Sequence, residues 1–323
     1  MKFTRNILSI DPAAETQRIV ESLRHNVLRV LRRHGGAVGI SGGVDSAVVL
    51  ALSVRAFGPG KVVPVIMPDQ DSDPISQTLA RELAGQLGVT PVLENVTSAL
   101  EGFGCYRRRD EAIRRVLPEY DPGRGYKAKI VLPQNLLQEN TLNTFSVAIV
   151  APDGTERKAP LPAREFLQIV AASNFKQRTR MAILYYHAEL RNYAVIGTAN
   201  KNEHDQGFFV KYGDAGVDIK AIGHLYKTQV YQLAEYLQIP KAIRERPPTS
   251  DTYSAACTQQ EFFFRLPFDL MDLLWYAQEH EVPPAEVAQV MDLPEVQVQR
   301  AYEDFSRKSR TTNYLRMHAL EIN

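Results

Sequence analysis

Two adjacent glycines set between an apolar strand and an apolar helix constrain this chain more than any other feature. The run Ser41-Gly42-Gly43-Val44-Asp45-Ser46 follows the apolar stretch Ala37 to Ile40 and leads into the denser one from Ala47 to Leu52. That order reads as strand, glycine turn, helix. Paired glycines let the backbone approach an anion closely. The N–H groups of the first helical turn then point at that anion, with the helix dipole behind them. Ser41 and Ser46 add hydroxyl donors. Asp45 is the odd member, because a carboxylate beside phosphate repels it unless a cation such as Mg²⁺ sits between. No Gly-Lys-Ser/Thr follows, so the loop is not a Walker P-loop.

The neighbouring segments place this loop in a sheet. Glu15 to His34 has Ile19, Leu23, Val27, Val30 and Leu31 on one helical face, ended by Gly35. Val62 to Met67 reads as a second strand. A helix capped at Ser72 or Asp73 follows, with Pro74 at its first position and Ile75, Leu79, Leu83 and Leu87 along one face. Pro91 to Val96 is a third strand, Asn174 to Arg191 a helix, Tyr193 to Thr198 a strand, Ile219 to Ile222 a last strand and Tyr226 to Leu237 a helix. Such alternation predicts an α/β fold, a doubly wound parallel sheet with helices on both faces. Ligands in these sheets sit at the carboxyl ends of the strands, where the Gly-Gly loop lies.

The alternation breaks between Glu101 and Ser173. Thr144 to Pro160, with Pro152-Asp153-Gly154 at its turn, reads as a β-hairpin. The expectation is one catalytic domain over 1–323, an insertion at 101–173 too mixed to build a large core alone, and a helical tail over 265–323. The insertion carries Arg107, Arg108, Arg109, Arg114 and Arg115 beside Tyr106, Tyr120 and Tyr126. Arginines among aromatics suit a phosphate-bearing or planar ligand, so the segment is expected to govern the acceptor. A solvated excursion or a dimer arm is the plain alternative.

Lys and Arg total 38 against 37 Asp and Glu, a balance that asks for neither nucleic acid nor an acidic membrane surface. No apolar run approaches the roughly 18 residues of a membrane span, and the amino-terminal residues show no signal-peptide core. Cys105 and Cys257 form no disulfide framework or metal motif; a reducing, cytoplasmic setting is expected.

The Ser41–Ser46 run resembles the loop of the ATP pyrophosphatases, which cut ATP to AMP and pyrophosphate. Further along, four stretches follow in order: Gly197-Thr198-Ala199-Asn200-Lys201-Asn202-Glu203, Gly207-Phe208-Phe209-Val210-Lys211-Tyr212-Gly213-Asp214, Asp218-Ile219 and Leu225-Tyr226-Lys227-Thr228. Together they resemble the motifs of the ammonia-dependent NAD synthetases. Asn174 to Met181 is similar to that family's Asn…Arg-x-Arg-Met helix, and Pro247-Pro248-Thr249 to its proline-flanked phosphate contact.

The resemblance implies ATP bound by Ser41, Gly42, Gly43, Asp45, Ser46, Met67, Thr198, Lys227 and Thr249, and Mg²⁺ held by Asp45 and Glu203. It implies catalytic roles for Asp45, Lys211, Lys227 and Asp214, and an acceptor bound by Arg178, Phe208, Lys211 and Asp214. For Phe208, simple core packing competes with a face offered to a pyridine ring. His204 and His224 read as structural. The chemistry implied is coherent. A carboxylate is a poor acyl donor, and converting it to an acyl-adenylate supplies AMP as leaving group for attack by ammonia. Deamido-NAD is the implied acceptor, free ammonia the nitrogen source and a homodimer the implied assembly.

The departures from the family pattern lie on the acceptor side. They are the 101–173 segment, Thr258-Gln259-Gln260-Glu261 in place of an acidic run, and Arg307-Lys308-Ser309-Arg310 in place of His-Lys-Arg. An amide ligase for another carboxylic acid is the alternative within enzymes. Outside them, Pro284 to Ser309 reads as a helix-turn-helix with Arg300, Arg307, Lys308 and Arg310 toward DNA, although Glu303 and Asp304 oppose it.

Overall fold

A computed structural model describes residues 2–133, 136–137, 145–249 and 252–322. Helix α1 (Pro12–Arg24) starts where Asp11 accepts hydrogen bonds from Ala13 N (2.9 Å) and Ala14 N (3.1 Å). It does not continue to His34 as one α-helix. A π-helical stretch, His25–Val30, follows, and Leu31 N bonds Asn26 O at 2.8 Å. The wider turn rotates the apolar face. Val27 stays buried, while Val30 and Leu31, expected on that face, are 60% and 37% exposed.

Strand β1 (Gly36–Gly39) leads through the glycine loop into α2 (Val44–Phe57), which Gly58 ends. Strand β2 (Val62–Ile66), α3 (Pro74–Gln86, capped by Asp73), β3 (Val92–Leu93), α4 (Thr97–Gly102) and α5 (Cys105–Val116) follow. A small antiparallel sheet comes next, β4 (Lys127–Val131), β5 (Ser146–Val150) and β6 (Glu156–Pro160). Then come α6 (Ala163–Glu189), β7 (Ala194–Gly197), α7 (Lys201–Gln206), β8 (Ile219–Lys220), α8 (Lys227–Tyr236) and α9 (Lys241–Arg244). The tail holds α10 (Phe268–Glu279), α11 (Pro284–Met291), α12 (Glu295–Thr311) and α13 (Asn313–Arg316).

The main sheet has the order β3-β2-β1-β7-β8, with every pair parallel. The chain leaves β1 toward one edge and returns through β7 toward the other. The switch point therefore falls between β1 and β7, where a crevice opens at their carboxyl ends. Helices α1, α2 and α8 cover one face through Ile19, Leu23, Val48, Leu52, Val230 and Leu233. Leu184 and Ala188 of α6 cover the other, over Ala37, Val63, Val65 and Val195. Burial on both faces accounts for the strands reading as continuous apolar runs.

The 101–173 segment is built into the domain. Helix α6 begins at Ala163, well upstream of the expected Asn174. Ala112 and Ile113 of α5 pack with Ile130, Val147, Ile149, Ile169 and the distant Tyr253 in one cluster. The expected hairpin is present as β5 and β6; Thr144, its expected start, lies outside the described residues. Strand β4 has no counterpart in the sequence reading.

The tail turns α12 inward. Val298, Ala301 and Phe305 are fully buried. Arg300 donates to Leu137 O at 2.8 Å, and Lys308 pairs with Asp304 at 2.8 Å. The helix-turn-helix reading needed these groups facing outward. Among the described residues, no helix is long and apolar enough to cross a membrane.

Candidate active site

The glycine loop is shaped by two devices. Gly42 has φ +73°, and a Cβ there would lie 2.5 Å from Ser76 O. Ser46 accepts from Ser41 N at 3.2 Å and donates to Gly43 O at 3.0 Å, so its hydroxyl closes the loop. Gly42→Ala is accordingly expected to lose about 1–2 kcal/mol from the left-handed backbone alone, with the collision against Ser76 added. ATP affinity should fall in calorimetry while the melting temperature drops. Unchanged ATP affinity would show that the loop does not carry the nucleotide.

Three segments meet beside the loop. Asp45 stands in the first turn of α2. Asn200, after β7, donates to Asp45 Oδ1 at 3.0 Å. Lys227, the first residue of α8, is fully buried and its Nζ pairs with Asp45 Oδ2. The Lys227 backbone N–H is held by Asn202 Oδ1 at 3.0 Å, which fixes where the side chain starts. Glu203 closes a capping box on α7: its Oε2 accepts from Asn200 N at 3.3 Å and its N–H donates to Asn200 Oδ1 at 3.1 Å. The helix-start role and a place in the site thus coexist, since Oε1 accepts from Gln259 Nε2 at 3.0 Å.

Electrostatics bind this group together. Glu203 is walled by protein although part of it opens to the cavity. Burial first, and the Asp45 charge second, push its carboxyl up to about 8 against the pull of Lys227. Burial pulls the Lys227 ammonium down, but Asp45 and Glu203 outweigh it and hold it above the ordinary lysine value. The cluster has two carboxylates and one ammonium. Among the described residues, no group of three or more acidic, histidine or cysteine side chains is placed to hold a metal ion. Two carboxylates suit Mg²⁺, which takes one or two protein oxygens and completes its shell with phosphate and water. A second positive charge would also restore the ionised form of Glu203.

Asp45, Glu203, Lys227 and Gln259 line one cavity of about 950 Å³. Of the expected site residues, Ser41, Gly43, Asp45, Ser46, Met67, Thr198, Glu203, Phe208, Asp214, Lys227 and Thr249 all border it. Gly42 turns toward Ser76 instead. Phe208 combines both of its readings, since it borders the cavity and packs against Phe262, Phe263 and Phe264. Asp214 is open to the cavity but flanked by protein; burial, partly offset by the Val210 N–H at 2.7 Å, raises its carboxyl to about 6.

Two expected residues stand elsewhere. Arg178 is on the outer side of α6 and donates to Lys211 O at 3.3 Å. Lys211 donates to Tyr314 O at 3.0 Å and Met317 O at 2.9 Å. Neither borders the cavity. His204 and His224 engage surface partners, Asp205 and Lys220 for the first and Glu15 for the second.

The insertion arginines are likewise occupied. Arg107 pairs with Glu111 at 2.9 Å, Arg114 donates to Tyr120 O at 3.1 Å, and Arg115 pairs with Glu165 at 3.0 Å. Arg109 is 2% exposed between Asp71 and Asp110. None of them, nor Arg108, borders the cavity. These pairings occupy the arginines, while Leu132, Phe145, Phe166, Leu167, Val170 and Ser173 of the same segment border the cavity.

Sequence reasoning passed over several residues that build the site. Arg180, rather than Arg178, faces the cavity, donating to Met67 O at 3.0 Å and pairing with Asp69 at 2.9 Å. Asn200 lay inside a recognised motif with no role attached. Gln259 arrives because Thr249 and Thr258 form an antiparallel bridge that folds the chain back over the site, a contact no local pattern announces.

Comparison with known proteins identifies the family. The NAD synthase family model matches residues 15–114 and 129–313. The NH(3)-dependent NAD(+) synthetase of Mesorhizobium japonicum is 49% identical over 97% of this chain and 98% of its own length. That of Rhizobium meliloti is 47% identical over 98% of this chain and 93% of its own. Both alignments run through the 101–173 segment, so it is not peculiar to this chain. A solved NMN synthetase from Francisella tularensis shares the fold, with TM-score 0.63 at 22% identity over 98% of this chain and 100% of that one. With the family model matched on both sides of residues 115–128 and identity near one half over almost the whole length, the chain belongs to the NAD synthase family.

Proposed function

We propose that this chain makes NAD from deamido-NAD, using ATP and free ammonia and releasing AMP and pyrophosphate. The observation that carries this reading is the meeting of Asp45, Glu203 and Lys227 beside the glycine loop, on the floor of a cavity that continues to Asp214. The loop N–H groups and Ser41 bind the phosphates, with Thr249 across the cavity and Met67 and Thr198 at the strand ends beside the adenosine. Asp45 and Glu203 would hold Mg²⁺, which when bound neutralises phosphate charge. Lys227 stabilises the negative charge that builds on the departing pyrophosphate.

The acceptor carboxylate attacks the α-phosphorus, the bond to pyrophosphate breaks and an acyl-adenylate forms. Ammonia then attacks the acyl carbon, the bond to the AMP oxygen breaks and a proton passes from nitrogen to solvent. Phe208 packs on the acceptor ring, and Asp214 holds the incoming ammonium, which sheds one proton to solvent before it attacks as ammonia. The test is a screen of pyrophosphate release with ATP, Mg²⁺, ammonium and a panel of acids. Deamido-NAD should be preferred and NAD should accumulate. Turnover with another acid but not with deamido-NAD would replace the proposed acceptor.

We also place the chain in a reducing cytoplasmic setting, consistent with two buried thiols that burial pushes up to about 11 at Cys105 and about 12 at Cys257. We infer a two-fold homodimer. Helix α6 exposes Tyr186 (58%) and Leu190 (64%), one turn apart at its carboxyl end. Tyr186→Arg with Leu190→Arg is expected to halve the mass seen by light scattering at micromolar concentration. A wild-type monomer under those conditions would remove the proposal.

A further inference from the structure

We propose that Asp272 is a positioning residue: acting through Asn202, it sets where Lys227 stands in the site. The inference rests on the reading that Lys227 stabilises the departing pyrophosphate. Asp272, on α10, is fully buried and does not border the cavity. Its Oδ1 accepts from Asn202 Nδ2 at 2.5 Å and its Oδ2 from Thr228 N at 2.7 Å. Asn202 is also fully buried, and its Oδ1 accepts from Lys227 N at 3.0 Å. A carboxylate only accepts and a backbone N–H only donates, so the Asn202 amide fits between them in one orientation. The first two N–H groups of α8, which have no partner within that helix, are thus held by Asn202 and Asp272. Burial raises the Asp272 carboxyl to about 6, which leaves it mostly ionised at neutral pH, and its charge stands at the positive end of α8. Four residues earlier on α10, and so on the same face, the Phe268 ring lies 5.5 Å from Lys227 Nζ. One turn of α10 therefore holds both ends of Lys227, its backbone through Asp272 and its ammonium over Phe268. Asp45 receives that ammonium, so a shift at the start of α8 displaces the charge from the place where the phosphates would lie.

The experiment compares wild type with Asp272→Asn, with Lys227→Met, with these two combined, and with Asp272→Asn joined to Asn202→Asp. Asp272→Asn keeps the size of the side chain but offers one accepting oxygen to two donors, so Asn202 Nδ2 or Thr228 N loses its partner. It should lower kcat about 10- to 100-fold, the loss that goes with moving a catalytic group by about 1 Å. The KM for deamido-NAD should stay within about twofold of wild type. In the Lys227→Met background the same change should lower kcat no further, because the group it positions is gone. Adding Asn202→Asp exchanges amide and carboxylate between the two positions, every donor again meets an acceptor, and most of the lost kcat should return. If Asp272→Asn does not fold, Asn202→Ala, which cuts the same chain of hydrogen bonds at its middle, should show the same dependence on Lys227. An equal further fall in kcat in the Lys227→Met background would overturn the proposal. No recovery in the exchanged pair, or a rise in the KM for deamido-NAD at unchanged kcat, would also overturn it. Wild-type turnover by Lys227→Met would instead remove the reading of that lysine. The backbone amides of Lys227 and Thr228 would still judge the contact, exchanging with solvent faster in Asp272→Asn if Asp272 holds them and at the wild-type rate if it does not.

Discussion

Replacing Lys227 with methionine is expected to lower the rate of AMP formation by about 100- to 1000-fold, the usual cost of removing one preorganised donor from a developing negative charge. Methionine keeps the length of the side chain but not its charge. Asp45 and Glu203 would then face each other with no cation between them, and the buried pair with Asp45 would be broken. Breaking such a pair costs about 3–5 kcal/mol when the partner is sealed from water. The cost here should be smaller, because the Asp45 side chain keeps 17% of its exposure. Adding Asp45→Asn to Lys227→Met should return most of the lost stability and none of the turnover, which separates folding from chemistry. Asp45→Asn and Glu203→Gln singly should raise the Mg²⁺ concentration needed for half-maximal rate. Turnover within tenfold of wild type in Lys227→Met would show that this lysine is structural.

Arg109→Met should destabilise the chain by about 3–5 kcal/mol, the cost of breaking a buried pair: Asp110 loses its cation and Asp71 keeps only Lys176. Arg109 links the insertion to the loop after β2 through Asp71, and to its own helix through Asp110 at 2.9 Å. Lys176 shares Asp71 at 2.7 Å and Asp69 at 3.1 Å, and Tyr120 donates to Asp110 at 3.2 Å. Burial raises the Asp71 carboxyl, and Lys176 and Arg109 together overcome this and hold it below its ordinary value. Removing Arg109 therefore strains a network that extends to the cavity wall at Lys176 and Arg180. A lower melting temperature with similar losses for ATP and acceptor is the expected signature. An unchanged melting temperature with a selective rise in acceptor KM would restore the idea that the insertion arginines bind ligand.

The parts of this molecule legible in the sequence are those written in short-range pattern. The Gly-Gly loop, the cap at Asp73 and the strand β2 depend on residues a few positions apart. Asp45, Glu203 and Lys227 were legible because each opens a helix after a recognisable motif. What escaped depends on distant partners. The phase of the first helix was lost because a π-helical stretch leaves no mark in apolar spacing. Lys211 and Arg178 sit in the right motifs, yet their side chains follow the tail and the outer face of α6. The insertion arginines resembled a ligand patch because the carboxylates that neutralise Arg109 and Arg115, Asp71 and Glu165, lie 38 and 50 residues away along the chain.

The most direct measurement of the central claim follows oxygen through the reaction. Deamido-NAD labelled with ¹⁸O in its nicotinate carboxylate would be converted with ATP, Mg²⁺ and ammonium, and the AMP and pyrophosphate analysed by mass. Formation of an acyl-adenylate requires one labelled oxygen to leave with each AMP and none with pyrophosphate. Unlabelled AMP, or label in inorganic phosphate released alongside ADP, would contradict adenylation at this site.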